Sequence, residues 1–174
     1  MIYPIVKYGD SVLERRGADI SEFDTPELNK LIDDMFESMY AAKGVGLAAP
    51  QIGISQRIAV IDITSGEDPA QKIVLINPEI IKKEGSQSGE EGCLSIPEIR
   101  GKVPRARKIS VTAWDRHGKR FALEATDFPA RVIQHENDHL DGVLFFDRMK
   151  SFESLTYLEE YSRYHARHAD DDDE

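Results

Sequence analysis

The chain has 174 residues, with 22 basic and 32 acidic side chains, a formal net charge of −10 and a single cysteine. One cysteine forms no internal disulfide, which excludes a disulfide-built secreted scaffold. The acidic balance argues against electrostatic binding of bulk nucleic acid or of an anionic membrane surface. The length suits one domain, long enough to bury a core without staples. That domain is expected over residues 1–168, followed by an acidic, disordered tail over 169–174. Asp170 to Glu174 carry half of the net charge and offer no apolar surface to bury. The opening segment Met1 to Lys7 has no signal-peptide core, and no window approaches the ~18 apolar residues of a membrane span. A cytoplasmic location is the expectation.

In chain order, the first predicted helix begins at Thr25-Pro26, a capping hydroxyl followed by a proline suited to a first turn. Leu28, Leu31, Ile32, Met35, Phe36, Met39 and Tyr40 form its apolar stripe, and Gly44 is the expected stop. β-like runs follow at Arg57–Ile63, Lys72–Ile81, Lys108–Asp115 and Lys119–Ala125, the last two joined by a turn at Asp115-Arg116-His117-Gly118. A second helix is predicted from Asp127-Phe128-Pro129 to Gly142, with Asp127 as its cap. A third is predicted over Phe152 to His168. Strands with helices set between and after them define an α+β class rather than a repeating βαβ sheet.

Three segments carry chemistry. His135-Glu136-Asn137-Asp138-His139 is an H-E-x-x-H sequence. On a helix, positions i and i+4 share a face, so both imidazoles point at one ion, with Glu136 placed to handle a proton. Val132, Ile133, Leu140, Val143, Leu144 and Phe145 make the flanks apolar, so the helix is expected to be buried and its polar groups to need partners. A catalytic site needs a third ligand. The downstream acids and histidines stand in no motif. Upstream, the lone cysteine sits in Glu90-Glu91-Gly92-Cys93-Leu94-Ser95-Ile96-Pro97. A single cysteine is ordinarily an inert buried side chain, but Gly92 and the flanking acids give this one a polar, closely approachable setting. Cys93 would complete a Cys-His-His site with one open position. The third segment is Gly44-Val45-Gly46-Leu47-Ala48-Ala49-Pro50-Gln51. It reads either as a plain helix-to-strand connection or as backbone that a ligand approaches closely. Gln51 is its one polar side chain.

Together, Gly44 to Gln51, Glu91 to Ser95 and Gln134 to Leu140 resemble the G-x-G-L-A-A-x-Q, E-G-C-L-S and Q-H-E-x-D-H-L motifs of peptide deformylase, in the family's order. The likeness runs to about Met149. It implies a compact single domain in which antiparallel strands pack around a central metal-binding H-E-x-x-H helix, with a C-terminal helix. Its implied activity is metal-dependent hydrolysis of the N-formyl group from N-formylmethionine on nascent polypeptides, releasing formate. Cys93, His135 and His139 would hold one divalent ion, Fe(II) in cells, with zinc, nickel or cobalt as replacements. Glu136 would be the acid/base, and Gln51 and the Leu94 amide would stabilise the oxyanion. Val45, Gly46, Glu91, Gly92, Phe128 and Val132 would line the substrate site. Asp127 and Gly89 depart from the family pattern, the latter opening the pocket mouth, and Gly9 replaces a common proline. Some relatives dock on the ribosome through a basic C-terminal helix, whereas Asp170 to Glu174 would repel RNA. No membrane or sequence-specific nucleic-acid partner is expected. A peptidase cleaving internal bonds and a formyl-peptide-binding or structural-metal protein are the competing readings.

Overall fold

The computed structural model describes residues 1–151 and 156–157. Helix α1 (Pro26–Ala41) starts where its signals lie: the Thr25 hydroxyl accepts from the Leu28 amide, and Pro26 occupies the first turn. Its end differs from expectation. Lys43, at φ 57°, takes the left-handed backbone that Gly44 was expected to supply.

The strands are β1 (Gly46–Ala48), β2 (Ile58–Ile61), β3 (Ile73–Glu84), β4 (Gln87–Cys93), β5 (Ile96–Arg105), β6 (Lys108–Trp114), β7 (Arg120–Thr126) and β8 (Thr156–Tyr157). They form a five-stranded sheet in the order β1-β2-β3-β6-β7 and a three-stranded sheet in the order β4-β5-β8. Every ladder within these sheets is antiparallel. The β6–β7 hairpin closes where predicted, with the Asp115 carboxylate accepting from the His117 and Lys119 amides and Gly118 at φ 81°. Helix α2 (Phe128–Leu140) follows β7.

Strand β2 explains the layering. Ile58 and Val60 pack into a core with α1 residues Ile32, Met35 and Met39. Ala59 and Ile61 pack into a second core with α2 residues Val132, Ile133 and Leu140. Alternate side chains of a strand point to opposite faces, so an all-apolar strand here means a helix on each face. A third core joins Ile96 and Val103 of β5 to Leu13, Leu144 and Phe145.

Two expectations are corrected. Asp127 does stand at the N-cap position of α2, but at φ 59° and without a capping side-chain bond; its carboxylate accepts from Arg107 Nε at 3.2 Å instead. With φ positive, the carboxylate turns away from the amides it would cap. The helix predicted over Phe152 to His168 is replaced at Thr156–Tyr157 by strand β8, paired with Ile99 and Arg100 of β5. The remainder of that segment and the tail 169–174 lie outside the described residues.

Candidate metal centre

Helix α2 carries His135, Glu136 and His139, and β4 delivers Cys93 to them. The ladder of β4 with β5 shifts register between Gly92 and Cys93, and a tight turn through Leu94 and Ser95 follows. Cys93 Sγ lies 3.3 Å from His139 Nε2, which lies 3.2 Å from His135 Nε2. The three donor atoms fall within 4.8 Å of one another. Ligands of one tetrahedral ion with bonds of about 2.0–2.3 Å stand roughly 3.3–3.8 Å apart, so a sulfur and two imidazole nitrogens at this spacing fit a single divalent ion.

Glu91 sets the orientation of His135. Its Oε1 lies 2.8 Å from His135 Nδ1, and the carboxylate also accepts from Arg105 Nε and Nη2 at 3.0 and 2.9 Å and from Arg131 Nη1. Burial would raise the Glu91 carboxyl, but the His135 and Arg105 bonds outweigh it and hold the group down to about 2. An ionised carboxylate only accepts, so His135 carries its proton on Nδ1 and turns the Nε2 lone pair toward Cys93 and His139. Arg105 in turn binds Asp138, which also accepts from Arg148 Nε and Nη2 at 3.2 and 3.0 Å.

Glu136 is 3% exposed, and its Oε2 has no hydrogen-bond partner among the described residues. Burial pushes its carboxyl up to about 7. Gln51 sits on the short 3-10 turn Ala49–Ile52. Its Oε1 accepts from the Ala48 amide at 3.0 Å, which aims Nε2 at Cys93 Sγ, 3.6 Å away, and at Ser95 Oγ, 3.3 Å away. The Leu94 side chain packs toward the α1 core.

A cleft of about 530 Å³ opens beside this cluster. It is lined by Gln51, Cys93, Leu94, His135 and Glu136, and by Val45, Gly46, Glu91, Gly92, Phe128 and Val132. His139 lies behind them, 1% exposed. Val132 belongs to the α2-side core as well as to the cleft wall, whereas Phe128 is 51% exposed at its mouth. The Glu91 backbone runs along the cleft while its carboxylate faces inward. Strands β1 and β4 are both sheet edges. Sequence reasoning passed over Ser95, Arg105, Arg131 and Asp138. The available signal was charge inside apolar runs, as at Ala130-Arg131-Val132, since a buried charge needs a partner.

An antiparallel α+β fold that sets a thiol and two imidazoles beside a buried carboxylate belongs to the metallohydrolase class of enzymes. The polypeptide deformylase family model matches residues 2–154. The peptide deformylase of Acidobacterium capsulatum is 57% identical over 151 residues, covering 87% of this chain and 88% of that one. The crystal structure of a peptide deformylase from Legionella pneumophila superposes with a TM-score of 0.82 at 40% identity, covering 96% of this chain and 99% of that one. That from Thermotoga maritima gives 0.81 at 43% identity, covering 87% and 99%. The chain belongs to the peptide deformylase family, enzymes that hydrolyse a linear amide.

Proposed function

We propose that this enzyme removes the N-formyl group from N-formylmethionine at the start of nascent polypeptides and releases formate. The observation that supports this reading most is the meeting of Cys93 Sγ, His135 Nε2 and His139 Nε2 beside Glu136, whose Oε2 has no partner among the described residues, at a cleft flanked by two edge strands. Cys93, His135 and His139 would hold one divalent ion, Fe(II) in cells and zinc, nickel or cobalt as substitutes. When bound, such an ion supplies Lewis acidity and brings the ionisation of water toward neutral pH.

The chain's own residues do the rest. The peptide adds as a strand between β1 at Val45-Gly46 and β4 at Glu91-Gly92, giving backbone bonds that ignore sequence. Its first side chain lies against Val45, Phe128 and Val132. Glu136 takes a proton as water attacks the formyl carbon. Gln51 Nε2 and the Leu94 N–H donate to the oxyanion that develops, each such donor being worth ~10²–10³ in rate. Glu136 then gives its proton to the amine as the C–N bond breaks, because an amide anion is too poor a leaving group. Formate and a free amino terminus result. Among the described residues no helix is long and apolar enough to cross a membrane. A substrate that is a nascent chain puts the proposed reaction where translation occurs, in the cytoplasm.

The test is formate release from formyl-methionyl peptides by the metal-loaded enzyme. Glu136→Ala is expected to lower kcat/KM by ~10³ or more while metal content stays unchanged. A metal-loaded wild type that releases no formate would refute the activity.

A further inference from the structure

Arg131 lies four residues before His135 on α2, lines the cleft and is 7% exposed. Its Nη1 donates to Glu91 and to the carbonyls of Val103 at 3.0 Å and Gly89 at 3.4 Å. Its Nη2 is buried and has no hydrogen-bond partner among the described residues. Glu91 does not serve it: Oε1 already accepts from Arg105 Nη2 and His135 Nδ1, and Oε2 from Arg105 Nε and Arg131 Nη1. A guanidinium N–H buried without an acceptor is costly, and native structures seldom keep one without a reason. Gly89 marks the open flank. A Cβ at that position would lie 3.3 Å from Nη2 and 3.4 Å from Cζ, so the glycine keeps side-chain atoms off that side of the guanidinium.

We infer that Arg131 is a specificity-determining residue whose Nη2 donates to a neutral acceptor at the tip of the substrate's first side chain. The inference rests on the deformylase reading and extends it to the substrate. Four residues of helix span ~6 Å, the reach of a methionine-length side chain whose formyl carbon sits by His135. The acceptor is neutral because Glu91 already matches the guanidinium charge. A thioether is a weak acceptor, whereas the sulfoxide of oxidised methionine presents a strong acceptor oxygen at the same length. The cleft therefore accepts formyl-methionine sulfoxide, a side chain that a wholly apolar pocket rejects.

The experiment measures formate release from otherwise identical peptides beginning with formyl-methionine, formyl-norleucine and formyl-methionine sulfoxide. The readout is the ratio of kcat/KM for sulfoxide over norleucine within each protein, which cancels any general loss of activity. Arg131→Lys keeps one donor for Glu91 and removes the second arm of the fork. Gly89→Ala keeps the Arg131–Glu91 pair and places a methyl group against Nη2, so it decides the matter if the lysine variant fails to fold. The wild-type ratio is expected at about 1 or above, falling about tenfold or more in each variant. An unchanged ratio, with formate still released from formyl-methionine, overturns the role of Arg131 and leaves the deformylase reading standing. No formate from any peptide overturns both.

Discussion

Gly46 touches Glu136 so closely that a Cβ on it would sit 2.8 Å from Oε1 and 2.9 Å from Cγ. The contact fixes the carboxylate from the β1 side, since nothing larger than hydrogen fits there. Gly46→Ala is therefore expected to displace the carboxylate and lower kcat/KM by about 10²-fold, the usual effect of an ångström-scale misplacement. Metal analysis of the same variant is expected to read wild-type content, because Glu91, not Gly46, orients His135. An alanine variant with full activity would show that the carboxylate's position is unconstrained. At this scale the sequence was readable where relations are local. An i, i+4 histidine pair needs only a helix, and Thr25 caps an amide three residues away. Glu91, Arg105 and Arg131 were not readable in the same way, because their partners lie 14 to 44 positions distant on other elements.

Helix α2 has two jobs on two faces. Ile133, 1% exposed, anchors it to the sheet core, while the opposite face carries the two imidazoles of the proposed metal site. Ile133→Ala is expected to cost about 2–5 kcal/mol of stability, read as a lower denaturation midpoint at an unchanged slope. Among strands, β6 was legible because Ile109, Val111 and Ala113 alternate inward. Strand β4 was not. Its sequence Gln-Ser-Gly-Glu-Glu-Gly-Cys has no apolar alternation, and its conformation comes from the ladder with β5, from Gln87↔Arg105 to Gly92↔Arg100. Strand propensity describes fit to a packed surface, and a segment that bounds a cleft has little such surface. The predicted helix over Thr156–Tyr157 failed for a related reason: edge pairing with β5 prevailed over a weak apolar stripe.

Across the whole molecule, the α+β class was legible because separate strand runs and long apolar helices cannot form a repeating βαβ layer. How two sheets share one helix was not, since it depends on side chains far apart in the chain. The proposed ion would bridge the sheets, tying Cys93 on β4 to α2. An ion that binds only the folded chain, held at ~1,000 times its Kd, adds about 4 kcal/mol. Chelation is then expected to lower Tm on the order of 10 °C for a chain of this size, measured by thermal unfolding with and without chelator under reducing conditions. An unchanged Tm would mean that no tightly held ion was present. The same bridging region constrains how the sequence can vary. One carboxylate, Glu91, answers to Arg105, Arg131 and His135 at once. Removing one member of a buried charged pair typically costs ~3–5 kcal/mol, so a neutral residue at position 91 takes the carboxylate from Arg131 and leaves Arg105 to Asp138. The four positions form one electrostatic unit, so a neutral substitution at Glu91 is expected to loosen the placement of all three of its partners together.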